Sequence, residues 1–285
     1  MAGGTALQCC DVDWSNEPIR SAKGEDTGIL KSEEDVRDEI EDIKRRSLSR
    51  VAGFGNLSPG EIEALGDMAG PHRIVRRGLD IRAEHHKPTD LCLLVHGWAA
   101  TAAFLPDGSR QLTSLRLPGD MMGLSALAMT RPIDSVIALT DVVVCDIAVN
   151  ELVRIFENNP RLALILFLIS QEERTLAMER LMLMGQARAD ARLAALFVRL
   201  HERNAQMFDD APLTFYMPLT QREMGEMIGV SDVHINALIK DLRTCEIIEI
   251  GGRELNILDI DRLVERSGLS SWNRVKPDWL PIPSC

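Results

Sequence analysis

The chain has 285 residues, 45% of them hydrophobic and 26% charged, which is enough apolar material for two ordinary domains and excludes wholesale disorder or a collagen-like repeat. Aromatic residues make up only 4%, which argues against exposed stacking platforms for sugars or single-stranded nucleic acid. The net charge of −11 runs against the basic surface that a nucleic-acid binder usually presents, and any such reading has to meet that objection.

Residues 1–50 read as an acidic extension, with twelve acidic and seven basic residues between Met1 and Arg46. Within it Ser32 can cap a short amphipathic helix that carries Val36, Ile40 and Ile43 on one face. Met1-Ala2-Gly3-Gly4 leads to Asp11, Asp13 and Glu17 with no basic stretch followed by an apolar one, so no secretory leader is expected. Adjacent Cys9 and Cys10 lack further ligands at metal-binding spacing. With Cys92, Cys145, Cys245 and Cys285 they are scattered without Cys-x-x-Cys pairs, which fits a reducing cytoplasm.

Residues 51–158 change texture to short apolar runs broken by Gly, Pro and Asp. Leu91 to Val95, Ala99 to Phe104, Gln111 to Leu115 and Val136 to Leu139 are expected strands, with a turn at Pro106-Asp107-Gly108. Closely spaced short strands predict a roll or sandwich. Residues 159–185 predict one long helix broken near Gly185. Its run from Leu162 to Ile169 is the longest apolar stretch in the chain, far below the roughly 20 residues that span a bilayer, so no membrane partner is expected. Leu162, Ile165, Ile169, Leu176 and Leu183 form an a/d-like ladder suited to self-association.

Residues 186–266 hold the most informative pattern. Thr220-Gln221-Arg222-Glu223 is a capping box, and Gly229 stops the helix that it opens. Ser231 caps a second helix whose Ile235, Leu238, Ile239 and Leu242 share one buried stripe. Two short helices joined by Gly229-Val230-Ser231 form a helix-turn-helix, and two apolar runs flanking Gly251-Gly252 form a hairpin wing behind it. At 100° per residue the outward face of the second helix is Val233, Asn236, Ala237 and Lys240, with His234 at its margin. Asn236 suits adenine, Lys240 suits guanine or phosphate, and Val233 and Ala237 suit thymine methyls. Thr220, Gln221, Arg222 and Ser231 are expected at phosphates, beside the helix N-terminal amides. Residues 267–285, with Trp272, Trp279, Pro277, Pro281 and Pro283, form a C-terminal extension.

The order of roll, long helix and winged helix-turn-helix, an α+β architecture, resembles the Crp/Fnr family of bacterial transcription regulators from about Leu57 to Leu263. The residues that carry the resemblance are Gly97-Trp98-Ala99, Leu105-Pro106-Asp107-Gly108, Leu117-Pro118-Gly119-Asp120 with Gly123, Leu139-Thr140-Asp141, and Leu219-Thr220-Gln221 leading to Gly229-Val230-Ser231-Asp232-Val233-His234-Ile235-Asn236. The resemblance implies a homodimer paired through the long helix, with a sensor roll that moves two DNA-reading helices. It also implies double-stranded DNA as ligand, with RNA polymerase or another regulatory protein as a further partner.

The departures are specific. Members that bind cyclic nucleotides place a glutamate shortly after the glycine and an arginine before a small residue; here Leu124 and Ser125 follow Gly123, and Asp134 precedes Ser135-Val136. A carboxylate repels the cyclic phosphate, so the pocket is expected to be degenerate, with Arg131 as the nearest replacement cation. Cys9-Cys10 lacks the spacing of an iron–sulfur site. His72, His85, His86, Cys92 and His96 are potential haem ligands, but the adjacent histidines are better read as exposed turn residues, and no cofactor or metal is expected. The family's base-reading arginines are replaced by Asp232 and Ala237, and Met207 to Arg266 carries twelve acids against six bases. No nucleophile–base pair, phosphate loop or His-Glu-x-x-His motif points to an enzyme. The leading expectation is a DNA-binding regulator; the alternative is a dimer of the same fold that acts by binding protein.

Overall fold

The computed structural model describes residues 49–83, 91–104, 106–130, 132, 134–205, 212–270 and 277–281. The acidic extension with its expected helix and Cys9-Cys10, the His85-His86 pair, Arg131 and much of the C-terminal extension lie outside the described residues.

Eight strands form the roll as two antiparallel sheets. The first pairs β1 (His72–Val75), β8 (Val142–Ile147), β3 (Leu91–His96) and β6 (Met121–Met122) in the order β1-β8-β3-β6. The second pairs β2 (Asp80–Arg82), β7 (Ser135–Ala138), β4 (Ala99–Phe104) and β5 (Arg110–Arg116) in the order β2-β7-β4-β5. Leu91 to Val95 are all buried because the sheet is covered on both faces. Cys92 and Leu94 join Val75, Ala99, Met122 and Val136 between the sheets, while Leu91, Leu93 and Val95 point to helices outside.

Those helices are α1 (Ser49–Ala52), α2 (Pro59–Met68), α3 (Val149–Asn158) and α4 (Pro160–Gln186). Ser58 and Glu61 close a capping box at the start of α2, and Pro160 occupies the first turn of α4, where its missing N–H is not needed. The helix runs through Gly185 to Gln186, with Ala187 as its C-cap. The expected self-association ladder needs a correction. Leu162 and Ile165 are 0% exposed and Ile169 7%, all within the chain's own core against Leu91, Val95 and Ile147. A long helix lying on a roll turns its most apolar flank to that roll, so these three are not available to a second chain. Leu176 and Leu183 are half-buried. The uncovered apolar stripe is a different one: Leu164, Phe167, Met178, Leu181 and Met182.

The C-terminal unit contains α5 (Ala189–Ala205), β9 (Thr214–Tyr216), α6 (Gln221–Ile228), α7 (Asp232–Thr244), β10 (Ile248–Gly251), β11 (Glu254–Ile257) and α8 (Ile260–Ser267). β10 and β11 form the wing, and β9, which the sequence reading did not anticipate, adds a third strand to it. The wing turn is displaced by one residue from the expected Gly251-Gly252. Gly251 pairs with Glu254, so Gly252 and Arg253 make the loop, with Gly252 at φ +61°.

No seam in the core separates the roll from the winged unit. Ala100, Ala102, Leu112, Ile137 and Leu139, on the outer face of the second sheet, belong to one apolar cluster with Leu193, Phe197, Met224, Ile235 and Leu255. The small residues of β4 let the helices approach closely. A second junction is electrostatic: Asp120, 2% exposed, accepts from Arg50 Nη1 and Arg203 Nη2, both at 2.6 Å, and from the Leu117 amide at 3.0 Å. Arg50 also meets Glu173 at 3.2 Å and Glu172 at 3.5 Å. Burial alone would lower the Arg50 pKa, but Asp120, Glu173 and Glu172 outweigh it and hold the group raised and charged. One aspartate thus ties α1, the roll and α5 together, and Arg50 carries the connection to α4.

Candidate nucleic-acid interface and sensor cassette

The first helix of the helix-turn-helix begins as its sequence dictates. The Glu223 amide donates to Thr220 Oγ1 at 3.2 Å, and the Thr220 amide donates to Glu223 Oε2 at 2.7 Å. The Thr220 hydroxyl also donates to Glu223 Oε2 at 2.9 Å, so the box engages the side chain expected at a phosphate. Gln221 and Arg222 are exposed, and Arg222 Nε lies 3.0 Å from Glu226 Oε1. Gly229 ends the helix at φ +70°, a conformation that favours glycine. Gly225 is required for a different reason, since a Cβ there would lie 2.7 Å from the Val230 carbonyl oxygen. That close approach turns the chain back into α7, and the helix-turn-helix spacing alone did not single it out.

Ser231 occupies the N-cap of α7 with extended backbone but makes no side-chain capping bond. Ile235, Ile239 and Leu242 are buried, and Leu238 is half-buried, as the periodicity requires. Val233, His234, Asn236, Ala237 and Lys240 are exposed, with Val233 at 82%. Within the chain Asn236 Nδ2 donates to the Asp232 carbonyl at 3.3 Å, a weak bond that a base edge has to displace. Asp232, in the first turn, puts a negative charge where a phosphate or base would approach.

Roll and helix-turn-helix meet through charge as well as apolar packing. Arg110 on β5 donates through Nε and Nη2 to Glu226 Oε2 at 2.9 and 2.6 Å, and Gln111 Nε2 donates to the Glu226 carbonyl. Arg77 Nη2 lies 3.1 Å from Glu223 Oε1, the carboxylate of the capping box. A cleft of about 420 Å³ separates Ser109 and Arg110 from Gly229, Ser231 and Asp232. Neither arginine stands out in the sequence, because nothing local to Arg77 or Arg110 marks a residue whose partner lies 146 or 116 positions along the chain.

The sensor cassette starts at Gly123, which takes φ +96° ahead of a 3-10 helix over Leu124–Ala128. Leu124 is half-buried and Ser125 exposed; Ser135 and Val136 are buried in β7, and Asp134 is half-buried just before them. Arg131, the expected replacement cation, lies outside the described residues. Among the described residues, Arg82 carries a guanidinium beside Asp134, with Nη1 3.7 Å from Asp134 Oδ1. Arg82 sits opposite Val136 in the β2–β7 ladder and is 3% exposed, and its Nε and Nη2 have no hydrogen-bond partner among the described residues. The half-buried Asp134 thus sets a negative charge beside Arg82, ahead of Ser135 and Val136, and a carboxylate repels an anionic group. Of the other candidate ligands, His72 and His96 are exposed whereas Cys92 is buried between the sheets, so they do not face one site.

Two family models match this architecture. Residues 72–159 match the cyclic nucleotide-binding domain, and residues 191–266 match the Crp-like helix-turn-helix domain. The transcriptional regulatory protein btr of Bordetella pertussis is 26% identical over 216 residues, 75% of this chain and 88% of that protein. The fumarate and nitrate reduction regulatory protein of Vibrio cholerae is 23% identical over 224 residues, 79% of this chain and 89% of that protein. The chain belongs to the Crp/Fnr family. It is a transcription regulator of that family with a helix-turn-helix DNA-binding domain. FixK2 from Bradyrhizobium japonicum shares the fold of this Crp/Fnr regulator, with a TM-score of 0.63 at 21% identity, over 70% of this chain and 98% of that one. The two matched domains of this Crp/Fnr regulator leave out residues 1–71, 160–190 and 267–285.

Proposed function

We propose that this Crp/Fnr regulator acts as a homodimer that reads a palindromic operator through α7. The observation that carries the reading is the face of Val233, Asn236, Ala237 and Lys240, exposed while Ile235, Ile239 and Leu242 anchor the opposite side. The uncovered stripe of Leu164, Phe167, Met178, Leu181 and Met182 supports pairing through α4, since a helix that leaves such a stripe exposed gains by burying it. Pairing of that kind puts the two reading helices on half-sites about one helical turn apart. Ser231, Gln221 and Arg222, with the free amides at the start of α7, supply phosphate contacts. The protein works in the cytoplasm without catalysis, and RNA polymerase or another regulatory protein is the partner that converts DNA binding into output. No helix among the described residues is long and apolar enough to cross a membrane.

The acidic winged unit favours a second reading, in which the dimer recognises a protein and its helix-turn-helix no longer reads DNA. Selection of the purified protein against a random duplex library at low and moderate salt separates the two. The operator reading expects an enriched palindrome whose affinity falls as salt rises; no enrichment at low salt rejects it in favour of the protein partner.

A further inference from the structure

The C-terminal extension returns to a site built for it. Leu280 is 8% exposed and sits in the apolar cluster that holds Val51, Phe54, Leu162 and Ile165, on the helical layer over the first sheet. Beside it Arg161, at the start of α4, distributes its guanidinium over three partners. Nη1 meets both oxygens of Glu61 at 2.8 and 2.7 Å, Nη2 donates to the Asn56 carbonyl at 2.9 Å, and Nε donates to the Pro281 carbonyl at 2.6 Å. Glu61 is itself fixed by the capping box of α2. Gly55 leaves the room for the segment: a Cβ there would lie 2.8 Å from Arg161 Nη2 and 3.4 Å from Leu280 Cδ2. The segment is shaped by its own turn, with the Leu280 amide donating to the Pro277 carbonyl at 3.1 Å.

The route of the chain gives this seat its meaning. The winged unit packs on the outer face of the second sheet, whereas Leu280 is buried in the layer that covers the first. Only seven peptide steps separate Ser270, just past α8, from Pro277, a reach of at most about 25 Å. We propose that the pocket formed by Gly55, Phe54, Glu61 and Arg161 is the receptor of this chain's own Pro277–Pro281 segment, and that the seated segment is a strap holding the winged unit against the roll. Moving the winged unit farther than the six intervening residues can span draws Leu280 from its seat. The strap therefore opposes separation of the reading unit from the sensor, and release of Leu280 loosens the two together. This does not depend on what the helix-turn-helix reads.

Hydrogen exchange on the full-length protein tests the strap. Leu280→Asp is expected to raise amide exchange at least fivefold at two places, the seat over Val51–Asn56 and the distant contact of β5 with α6. A synthetic peptide of residues Lys276–Cys285, added to that variant, is expected to restore protection at the seat and leave the β5–α6 contact loose, because it is not tethered to α8. Faster exchange at the seat alone would reduce the segment to local packing and overturn the strap. No change at either place would overturn the seat, and restoration of both by the free peptide would show that the tether is irrelevant. Light scattering is expected to give the same molar mass for both proteins; loss of a higher-mass species in Leu280→Asp would mean that the segment reaches a second copy, contrary to the proposal.

Discussion

Arg110 holds Glu226 through two of its nitrogens, at 2.9 and 2.6 Å, while the other oxygen of the same carboxylate accepts from Arg222 at 3.0 Å. The pairs differ in setting: Arg110 is 24% exposed and joins the roll to the helix-turn-helix, whereas Arg222 is 72% exposed on the same helix as its partner. Arg110→Ala is expected to cost about 1–2 kcal/mol in urea unfolding, between the values for surface and buried pairs. Arg222→Ala is expected to cost under about 0.5 kcal/mol. Equal losses would mean that the clamp contributes no more than an ordinary surface pair.

The two flanks of α4 should respond differently to substitution. Phe167→Asp with Leu181→Asp places charge on the exposed stripe and is expected to shift the molar mass to that of a monomer. Ile165→Ala, on the buried flank, is expected to lower stability by about 2–4 kcal/mol without changing the mass. A monomeric Ile165→Ala together with a dimeric double variant would return the seam to the ladder first read from the sequence.

On the reading helix, Asn236→Ala is expected to weaken binding to the selected duplex about tenfold and relax preference at one base position, the loss of a bidentate pair worth roughly 1–3 kcal/mol. Lys240→Ala should lower affinity across sequences and reduce the salt slope by about one. Asp232→Ala removes a negative charge from the first turn of α7 and should strengthen binding. Neutral outcomes at all three positions would misplace the reading face.

Asp120 is the acceptor shared by Arg50 and Arg203. Asp120→Ala removes the shared acceptor of the buried Arg50 and the half-buried Arg203, leaving Arg50 with Glu172 and Glu173, and is expected to cost about 3–5 kcal/mol. Asp120→Asn keeps an acceptor for the Leu117 amide and should cost less. If both variants melt like the parent, the junction does not hold the units together.

Asp141 accepts from the Arg77 amide at 2.9 Å and from Arg76 at 2.7 Å, and these bonds hold its carboxyl below the usual range. A depressed carboxylate stabilises the fold above its unfolded pKa of about 4, and that contribution is lost as pH falls through the folded value. Asp141→Asn should therefore narrow the stability gap between pH 5 and pH 3; an unchanged acid limb would show that the bonds contribute nothing.

Much of the reading unit is legible along the chain because its determinants are local. The capping box at Thr220 and Glu223, the left-handed Gly229 and the stripe of Ile235, Ile239 and Leu242 are set by neighbours within a few residues, and the structure has them where the pattern puts them. The wing turn slipped by one residue because either glycine of Gly251-Gly252 can open a two-residue loop, and register, set by the pairing of Gly251 with Glu254, is a property of two strands. The ladder on α4 failed for a similar reason. Periodicity identifies an apolar flank but not what covers it, and here the roll covers Leu162, Ile165 and Ile169.

The order of elements, the exposed face of Val233, Asn236, Ala237 and Lys240 and the carboxylate at Asp134 were determined by sequence alone, since each follows from a residue type at a fixed offset from its neighbours. The contacts that make one body of the parts were decided only by folding. Arg110 reaches Glu226, Arg203 reaches Asp120, Arg82 lies beside Asp134, and Leu280 and Pro281 return to Gly55 and Arg161 respectively. Each joins residues from about fifty to more than two hundred positions apart, and no local propensity encodes such a meeting; the packing of the winged unit on one sheet and of α1 to α4 on the other does.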